Sequence, residues 1–115
     1  MRYRKAIKGG WFRMPHAALD DPRFTMLPPM AKVLYLYLVK WRSRSNARLK
    51  HLPGWVQFSD KELADRLFCI PKTIFRSRQA LYMGGFINYQ TTTNRKACRY
   101  YVYDEPIRSE PVKSL

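Results

Sequence analysis

Acidic residues are scarce in this sequence of 115 residues, where eight Asp plus Glu stand against 22 Lys plus Arg and the formal net charge is +14. The acids are also clustered, because the stretches 22–59 and 66–103 contain none. An ordinary solvated surface mixes both signs, whereas two long segments of one sign favour a polyanionic partner. Nucleic acid is the first partner that this charge predicts, and an anionic membrane or an acidic protein is the alternative.

Cysteine and histidine are scarce as well. Cys69 and Cys98 lie far apart, and neither His16 nor His51 stands near them at metal-ligand spacing, so no zinc site is predicted. The acids do not form the carboxylate cluster that metal-dependent phosphodiester chemistry needs, and no nucleophile has a recognisable base beside it. A tyrosine nucleophile would need a pair of metal-binding histidines. The sequence therefore predicts no catalytic residue, no metal and no cofactor, and the protein is expected not to be an enzyme.

Long apolar runs are missing too. The longest, Val33 to Val39, has seven residues, whereas a membrane-spanning helix needs about 20. The basic N-terminus is followed by Gly9-Gly10 and Trp11 rather than by the apolar core of a secretory signal. We therefore expect no contact with a membrane and a cytoplasmic location.

The first half of the chain contains one well-marked helix. Residues 1–10 are predicted to be a flexible basic arm, and a single helical turn is predicted at residues 17–19. Pro28-Pro29 can open a helix of about 12 to 14 residues, although the density of strand formers in Val33 to Val39 leaves a buried strand as the competing interpretation. The helix would bury the following stripe at helical spacing: Met30, Val33, Leu34, Tyr37, Leu38 and Trp41. A polar, cationic connection over residues 40–50 and a short strand over residues 55–58 come next.

The second half predicts two helices and two strands. Ser59 or Asp60 can cap a helix over residues 61–67, and Glu62 completes a capping box if Ser59 is the cap. Pro71 opens a second helix, which ends at Gly84-Gly85. Strands are predicted over residues 86–90 and 97–103, with a frayed tail or linker from residue 104 to residue 115. The fold class expected is α+β, mostly α.

This succession resembles the winged helix-turn-helix domains of phage and plasmid replication initiation proteins and replisome organisers. The motifs that carry the resemblance are Phe58-Ser59-Asp60-Lys61-Glu62-Leu63-Ala64, Lys72-Thr73-Ile74-Phe75-Arg76, Leu81-Tyr82-Met83-Gly84-Gly85-Phe86-Ile87 and the upstream segment 27–38. The resemblance covers residues 11–103 and implies about three main helices plus a small antiparallel β-hairpin, the wing. It implies sequence-specific binding of double-stranded DNA in replication initiation, with a homodimer or other replication proteins as further partners. Transcriptional regulators share the pattern, and a regulator is the alternative.

Three residues depart from the family pattern. Phe68 stands where a turn glycine is usual, so the turn is expected to bulge or to be rebuilt. Ile70 replaces the usual Ser or Thr cap of the second helix, at a cost of about 1 kcal/mol. Arg78 falls near the apolar stripe of Ile74 and Leu81, so its guanidinium must snorkel or find a partner.

The resemblance assigns DNA contacts to the second helix of the pair and to the wing. In the helix, Ile74, Ser77 and Leu81 should face inward, which leaves Arg76 and Gln79 to read base edges. The residues proposed from the sequence to touch DNA are Lys72, Thr73, Phe75, Arg76 and Gln79 in the helix, and Asn94, Arg95, Lys96 and Arg99 in the wing. Two other uses stay open: an RNA-binding module that stacks bases on Tyr100, Tyr101 and Tyr103, and a winged helix that docks an acidic protein.

Overall fold

The structure, a computed structural model, describes residues 14–44, 55–92 and 97–107. In the described part the chain forms helices α1 (His16–Leu19), α2 (Pro22–Thr25), α3 (Pro29–Arg44), α4 (Asp60–Leu67) and α5 (Pro71–Met83), and strands β1 (Trp55–Phe58), β2 (Ile87–Thr91) and β3 (Cys98–Val102). The fold is α+β and mainly helical, as the sequence predicted. The predicted arm at residues 1–10 lies outside the described residues.

The three strands form one antiparallel sheet in the order β1-β3-β2. The β2-β3 hairpin is the one that the sequence predicted, and β1 adds a third strand on the other side of β3, with Val56 opposite Tyr100 and Phe58 opposite Cys98. Burial alternates along β1 and β3, because successive side chains of a strand point to opposite faces. One face of the sheet therefore belongs to the core, and the other does not.

Helix α3 crosses the centre of the molecule and contacts α5, β3 and β1. The residues that it buries are Ala31, Leu34, Tyr35, Leu38 and Val39. The stripe predicted from the sequence was wrong in part: Leu34 and Leu38 are buried, but Tyr37 is exposed and Met30, Val33 and Trp41 are only partly covered. Residues 33–39 are all apolar or aromatic, so apolar side chains occur on most sides of the helix. The sequence pattern therefore could not predict which side of α3 faces the core. The helix also continues to Arg44, which makes the first five residues of the predicted 40–50 connection helical; residues 45–54 lie outside the described residues.

The segment before α3 folds onto the core. The predicted turn is present as α1, and α2 is a second short helix that the sequence analysis did not predict. Pro22 starts α2, and the Asp21 carboxylate accepts a hydrogen bond from the backbone N–H of Arg23 at 2.8 Å. The ring of Phe24 meets the rings of Tyr35 and Phe86 edge-on, each at 5.7 Å between centroids. This contact ties the lead-in segment to α3 and to the start of β2.

Residues 104–107, which the sequence assigned to the tail, lie against the domain. The Asp104 carboxylate pairs with Arg42 at 2.8 Å, and Pro106 is buried. The backbone N–H of Ile107 donates to the carbonyl of Gly85 at 2.9 Å. Gly85 has φ +82°, and a Cβ atom there would come 2.3 Å from the Ile107 carbonyl oxygen, so only glycine fits. Residues 108–115 lie outside the described residues.

Candidate nucleic-acid interface

Of the two caps that the sequence left open for α4, Ser59 and Asp60, the structure shows Ser59 as the cap, with Glu62 completing the capping box. The Ser59 hydroxyl accepts from the backbone N–H of Glu62 at 3.0 Å, and the Glu62 carboxylate accepts from the backbone N–H of Ser59 at 2.9 Å. Leu63 and Ala64 are buried and Leu67 is partly buried, as the sequence predicted. The two hydrogen bonds fix the first turn of α4, which is the turn that contacts α5 through Asp60.

Three residues join α4 to α5, and the first of them, Phe68, has φ 55° and ψ 50°. The expectation that the turn would bulge or be rebuilt was wrong, because phenylalanine adopts the left-handed conformation itself. Phe68 is 95% exposed, so its ring is not pressed against other side chains. The N–H of Cys69 still donates to the carbonyl of Ala64 at 2.9 Å. The tight turn is thus kept, at a backbone cost of about 1 to 2 kcal/mol.

The α5 helix has the bounds and the inward face that the sequence predicted. Ile70 provides no side-chain cap, and Pro71 occupies the first helical position. Ile74, Ser77 and Leu81 are all buried. Their burial fixes the rotation of α5 about its axis, and the opposite face is left to solvent.

Arg78 pairs rather than snorkels. Its side chain is 6% exposed, and its Nη1 lies 2.6 Å from Oδ1 of Asp60 in α4. The same nitrogen donates to the hydroxyl of Tyr100 in β3 at 3.0 Å, and Nη2 lies 3.4 Å from the other oxygen of Asp60. Nε has no hydrogen-bond partner among the described residues. The guanidinium therefore connects α5 to both α4 and the sheet.

The surroundings of Arg78 keep it charged. Burial opposes the charged form, but the hydrogen bonds to Asp60 and Tyr100 outweigh burial, and the pKa of Arg78 is raised. The guanidinium carbon also lies 5.4 Å from the ring centre of Phe75 and 5.3 Å from that of Tyr89, within the range of cation–π attraction. The partly exposed Phe75 ring is thereby held by a buried cation.

The solvent face of α5 presents the five helix residues predicted to touch DNA. Lys72 and Arg76 are exposed, Phe75 is 49% exposed, and Thr73 and Gln79 are partly buried. Residues 72, 75, 76 and 79 follow one another at helical spacing and so lie along one face, and α5 contains no acidic residue. This face combines two cations, an amide and an aromatic ring on a helix that is braced from behind.

The residues predicted for the wing do not all come together. Asn94, Arg95 and Lys96 lie outside the described residues. Just beyond β2 and just before β3, the N–H of Thr92 donates to the carbonyl of Ala97 at 3.0 Å. Arg99 lies on the side of β3 opposite Tyr100 and Arg78, and its Nε donates to Oε1 of Gln57 at 3.2 Å. Arg99 therefore belongs to another surface than the α5 face.

A cleft of about 450 Å³ opens where the first turns of α4 and α5 meet the end of the β2-β3 hairpin. Its lining residues are Ser59, Asp60, Lys61, Pro71, Arg78, Thr91, Ala97 and Cys98. The Arg78–Asp60 pair lines it, and so do Thr91 and Ala97, which stand on either side of the predicted wing residues 94–96 in the sequence. The cleft separates the helix pair from the hairpin, next to the exposed face of α5.

Sequence reasoning missed how the aromatic residues divide between the two faces of the sheet. Tyr100 is fully buried, and burial raises its pKa, so it cannot stack a base. Tyr101 and Tyr103 lie on the other face, where the ring of Tyr101 is 5.5 Å from that of Trp55. The alternation of Arg99-Tyr100-Tyr101-Val102-Tyr103 carried this signal, because odd and even positions of a strand face opposite ways.

Within the described ranges, no group of three or more His, Cys, Asp or Glu side chains could hold a metal ion. None of the helices described is long and apolar enough to cross a bilayer. Burial raises the pKa of both thiols, Cys69 and Cys98, which disfavours their nucleophilic form. No protein-family model, curated protein or solved structure matches the chain.

Proposed function

We propose that this protein is a winged helix-turn-helix domain that binds double-stranded DNA in a sequence-specific manner, with α5 as the recognition helix in the major groove. The observation that carries the proposal is the solvent face of α5. It bears Lys72, Arg76 and Gln79 without any carboxylate. Arginine can bind guanine, and glutamine can bind adenine, through paired hydrogen bonds.

The order of the elements supports this proposal. From α3 onward the chain runs helix, strand, helix, helix, strand, strand, and the third of these strands lies between the other two. Winged helix domains have this succession. A three-residue turn between α4 and α5 is also the connection typical of a helix-turn-helix.

The rigidity of α5 supports it as well. A recognition helix must hold its side chains at fixed positions relative to the groove. Arg78 ties α5 to Asp60 at 2.6 Å and to Tyr100 at 3.0 Å, so the solvent face of the helix is anchored from the buried side. Binding then requires little reordering of the protein.

Selection of bound duplexes from a random pool tests the proposal. We expect a recovered motif that contains guanine or adenine at the positions facing Arg76 and Gln79. Arg76→Gln should weaken binding to that motif by about 1 to 3 kcal/mol, roughly five- to 150-fold. Fluorescence anisotropy with the selected duplex measures the change.

Arg66→Gln is the matched control, because it removes the same charge from α4. The Arg66 guanidinium lies 5.2 Å from the ring centre of Trp41, on another part of the surface, and its loss should change affinity less than threefold. An equal loss of affinity in the two variants would show that net charge, and not a base contact by Arg76, determines binding. No binding to any duplex pool at low salt would refute the proposal.

Replication initiation is the biological role that we propose, because the resemblance to replication initiators extends to the lead-in segment before α3. The described lead-in forms α1 and α2 and packs through Phe24 onto Tyr35 and Phe86. Footprinting of the protein on the DNA of the organism or mobile element that encodes it distinguishes replication initiation from transcriptional regulation. Protection of repeats at an origin supports replication initiation, and protection of a promoter supports transcriptional regulation.

A further inference from the structure

The outer face of the sheet, defined by Trp55, Gln57, Asn88, Gln90, Arg99 and Tyr101, has a composition that DNA binding by α5 does not explain. The strand register arranges it in two rows. Tyr101 lies between Trp55 and Asn88 in one row, and Arg99 lies between Gln57 and Gln90 in the other. One row therefore contains two aromatic rings and an amide, and the row beside it contains a cation between two amides.

The helices that contact the sheet lie on its other side. Trp41 of α3 packs on Phe58 at 4.6 Å between ring centres, and Arg78 of α5 contacts Tyr100. Phe58 and Tyr100 both belong to the buried face. The helix α5 and any ligand on the outer face therefore lie on opposite sides of the sheet.

Tyr103, which follows the end of β3, adds a third ring next to Tyr101. The ring centre of Tyr103 lies 5.4 Å from that of Tyr101 at an interplanar angle of 77°. In such an edge-to-face contact the edge of one ring covers part of one face of the other ring, and the other ring faces are not covered by this contact. The side chains of Tyr101 and Tyr103 are both partly exposed, so each offers π-surface to a flat ligand.

The charge of this face fits a polyanion. All three strands come from the two acid-free stretches, 22–59 and 66–103, so the strands bring no carboxylate to the face. The Arg99 guanidinium is oriented by its hydrogen bond to Gln57 at 3.2 Å. Positions two apart on a strand are separated by about 6.8 Å, a distance that one nucleotide can span between its base and its phosphate.

We propose that the outer face of the sheet binds single-stranded nucleic acid, with unpaired bases stacked on Tyr101 and Tyr103 and a backbone phosphate at Arg99. Aromatic rings beside a cation are the arrangement by which proteins hold unpaired strands, since every base has a π-face. The side-chain amides of Gln57 and Gln90, on either side of Arg99, can form hydrogen bonds with base edges or sugars. The site is separate from the α5 face and does not depend on the function proposed for α5.

Anisotropy titrations at 50 mM salt with labelled dT12, labelled rU12 and a labelled 12-base-pair duplex test the proposal. Tyr101→Ala should weaken binding of the preferred single strand about five- to 100-fold while leaving duplex binding within twofold. Tyr101→Phe keeps the ring and should bind like the parent protein. Arg99→Gln should weaken single-strand binding and lower its salt dependence. The comparison of dT12 with rU12 shows whether the strand is DNA or RNA.

Arg76→Gln provides the reciprocal control, because it should weaken duplex binding and spare the single strands. Circular dichroism checks that each variant is folded. Three results would overturn the proposal: no binding of either single strand, equal binding by Tyr101→Ala and the parent protein, or a loss of single-strand binding in Arg76→Gln as large as in Tyr101→Ala. Failure of duplex binding alone would refute only the function proposed for α5.

Discussion

Arg78 shows what a single residue can and cannot predict. Its place near the stripe of Ile74 and Leu81 already implied that the guanidinium must pair or snorkel. The partner, Asp60, lies 18 positions earlier in the chain, and no local pattern links the two. The pair exists because α4 and α5 cross with the first turn of α4 beside the middle of α5, which is a tertiary arrangement.

The Arg78–Asp60 pair predicts an asymmetry between two variants. Asp60→Ala should lower the free energy of unfolding by about 3 kcal/mol, because it leaves a buried guanidinium without its counter-charge. Arg78→Met should cost only about 1 to 2 kcal/mol, because the Asp60 side chain is 34% exposed and water can reach it. Urea denaturation measures both values. A larger loss in Arg78→Met than in Asp60→Ala would contradict this account of the pair.

The exposed ring of Phe75 leads to a prediction about the methyl group of a thymine in the bound DNA. Its ring is 49% exposed among the polar side chains of α5, and an aromatic ring in the major groove can contact the methyl group of thymine. Replacing the contacted thymine by deoxyuridine in the selected site should weaken binding by about 1 kcal/mol, roughly fivefold. The effect should vanish in Phe75→Ala. An equal effect of deoxyuridine in both proteins would show that the ring does not contact the methyl group.

Among the helices, the buried face of α5 was predicted correctly, whereas α3 was predicted as a helix but with a buried face that was wrong in part. In α5 the polar residues Lys72, Arg76 and Gln79 mark one side of the helix. Ile74, Ser77 and Leu81 lie on the other side and define the inward face. In α3 nearly every position from 33 to 39 is apolar, and the sequence therefore allows several rotations. The packing of α3 against α5 and the sheet selects the face of Leu34, Tyr35 and Leu38.

The connection between α4 and α5 stores strain that a substitution can release. Phe68→Gly should raise the free energy of unfolding by about 1 kcal/mol, because glycine adopts φ 55° without steric cost. The lost ring is 95% exposed, so little apolar burial is lost with it.

Phe68→Ala is the control for this substitution, since it removes the ring but keeps a Cβ atom at positive φ. It should change stability by less than about 0.5 kcal/mol. Chemical denaturation measures the free energy of unfolding of both variants. Equal stabilisation by Ala and Gly would locate the cost in the exposed ring and not in the backbone.

At the scale of the whole molecule, two buried tyrosines couple stability to alkaline pH. Burial raises the pKa of Tyr35 and of Tyr100, whereas in the unfolded chain both ionise near pH 10, at about the ordinary value. Their contribution to stability is therefore complete below about pH 10 and is lost as pH rises toward the folded-state pKa. Each tyrosine adds a slope of about 1.4 kcal/mol per pH unit above pH 10.

The double variant Tyr35→Phe/Tyr100→Phe should remove most of that slope between pH 9 and pH 11. The control is Tyr37→Phe/Tyr82→Phe, which deletes the same two hydroxyls from rings that are 37% and 47% exposed. Urea denaturation at each pH gives the slopes, and the single variants should each remove about half. Identical slopes in the two double variants would contradict the assignment.

The amino-acid sequence was sufficient to predict the fold class, the helix pair, the inward face of α5 and the hairpin. These features depend on local signals: Pro and Gly at helix ends, a Ser-x-x-Glu cap and side chains at period 3.6 or 2. Tertiary contacts were needed to settle the rotation of α3, the pairing of the predicted strand 55–58 with β3, the partner of Arg78 and the side of the sheet on which Arg99 lies. Those features depend on contacts between residues far apart in the chain, where packing chooses among arrangements that local patterns leave equal.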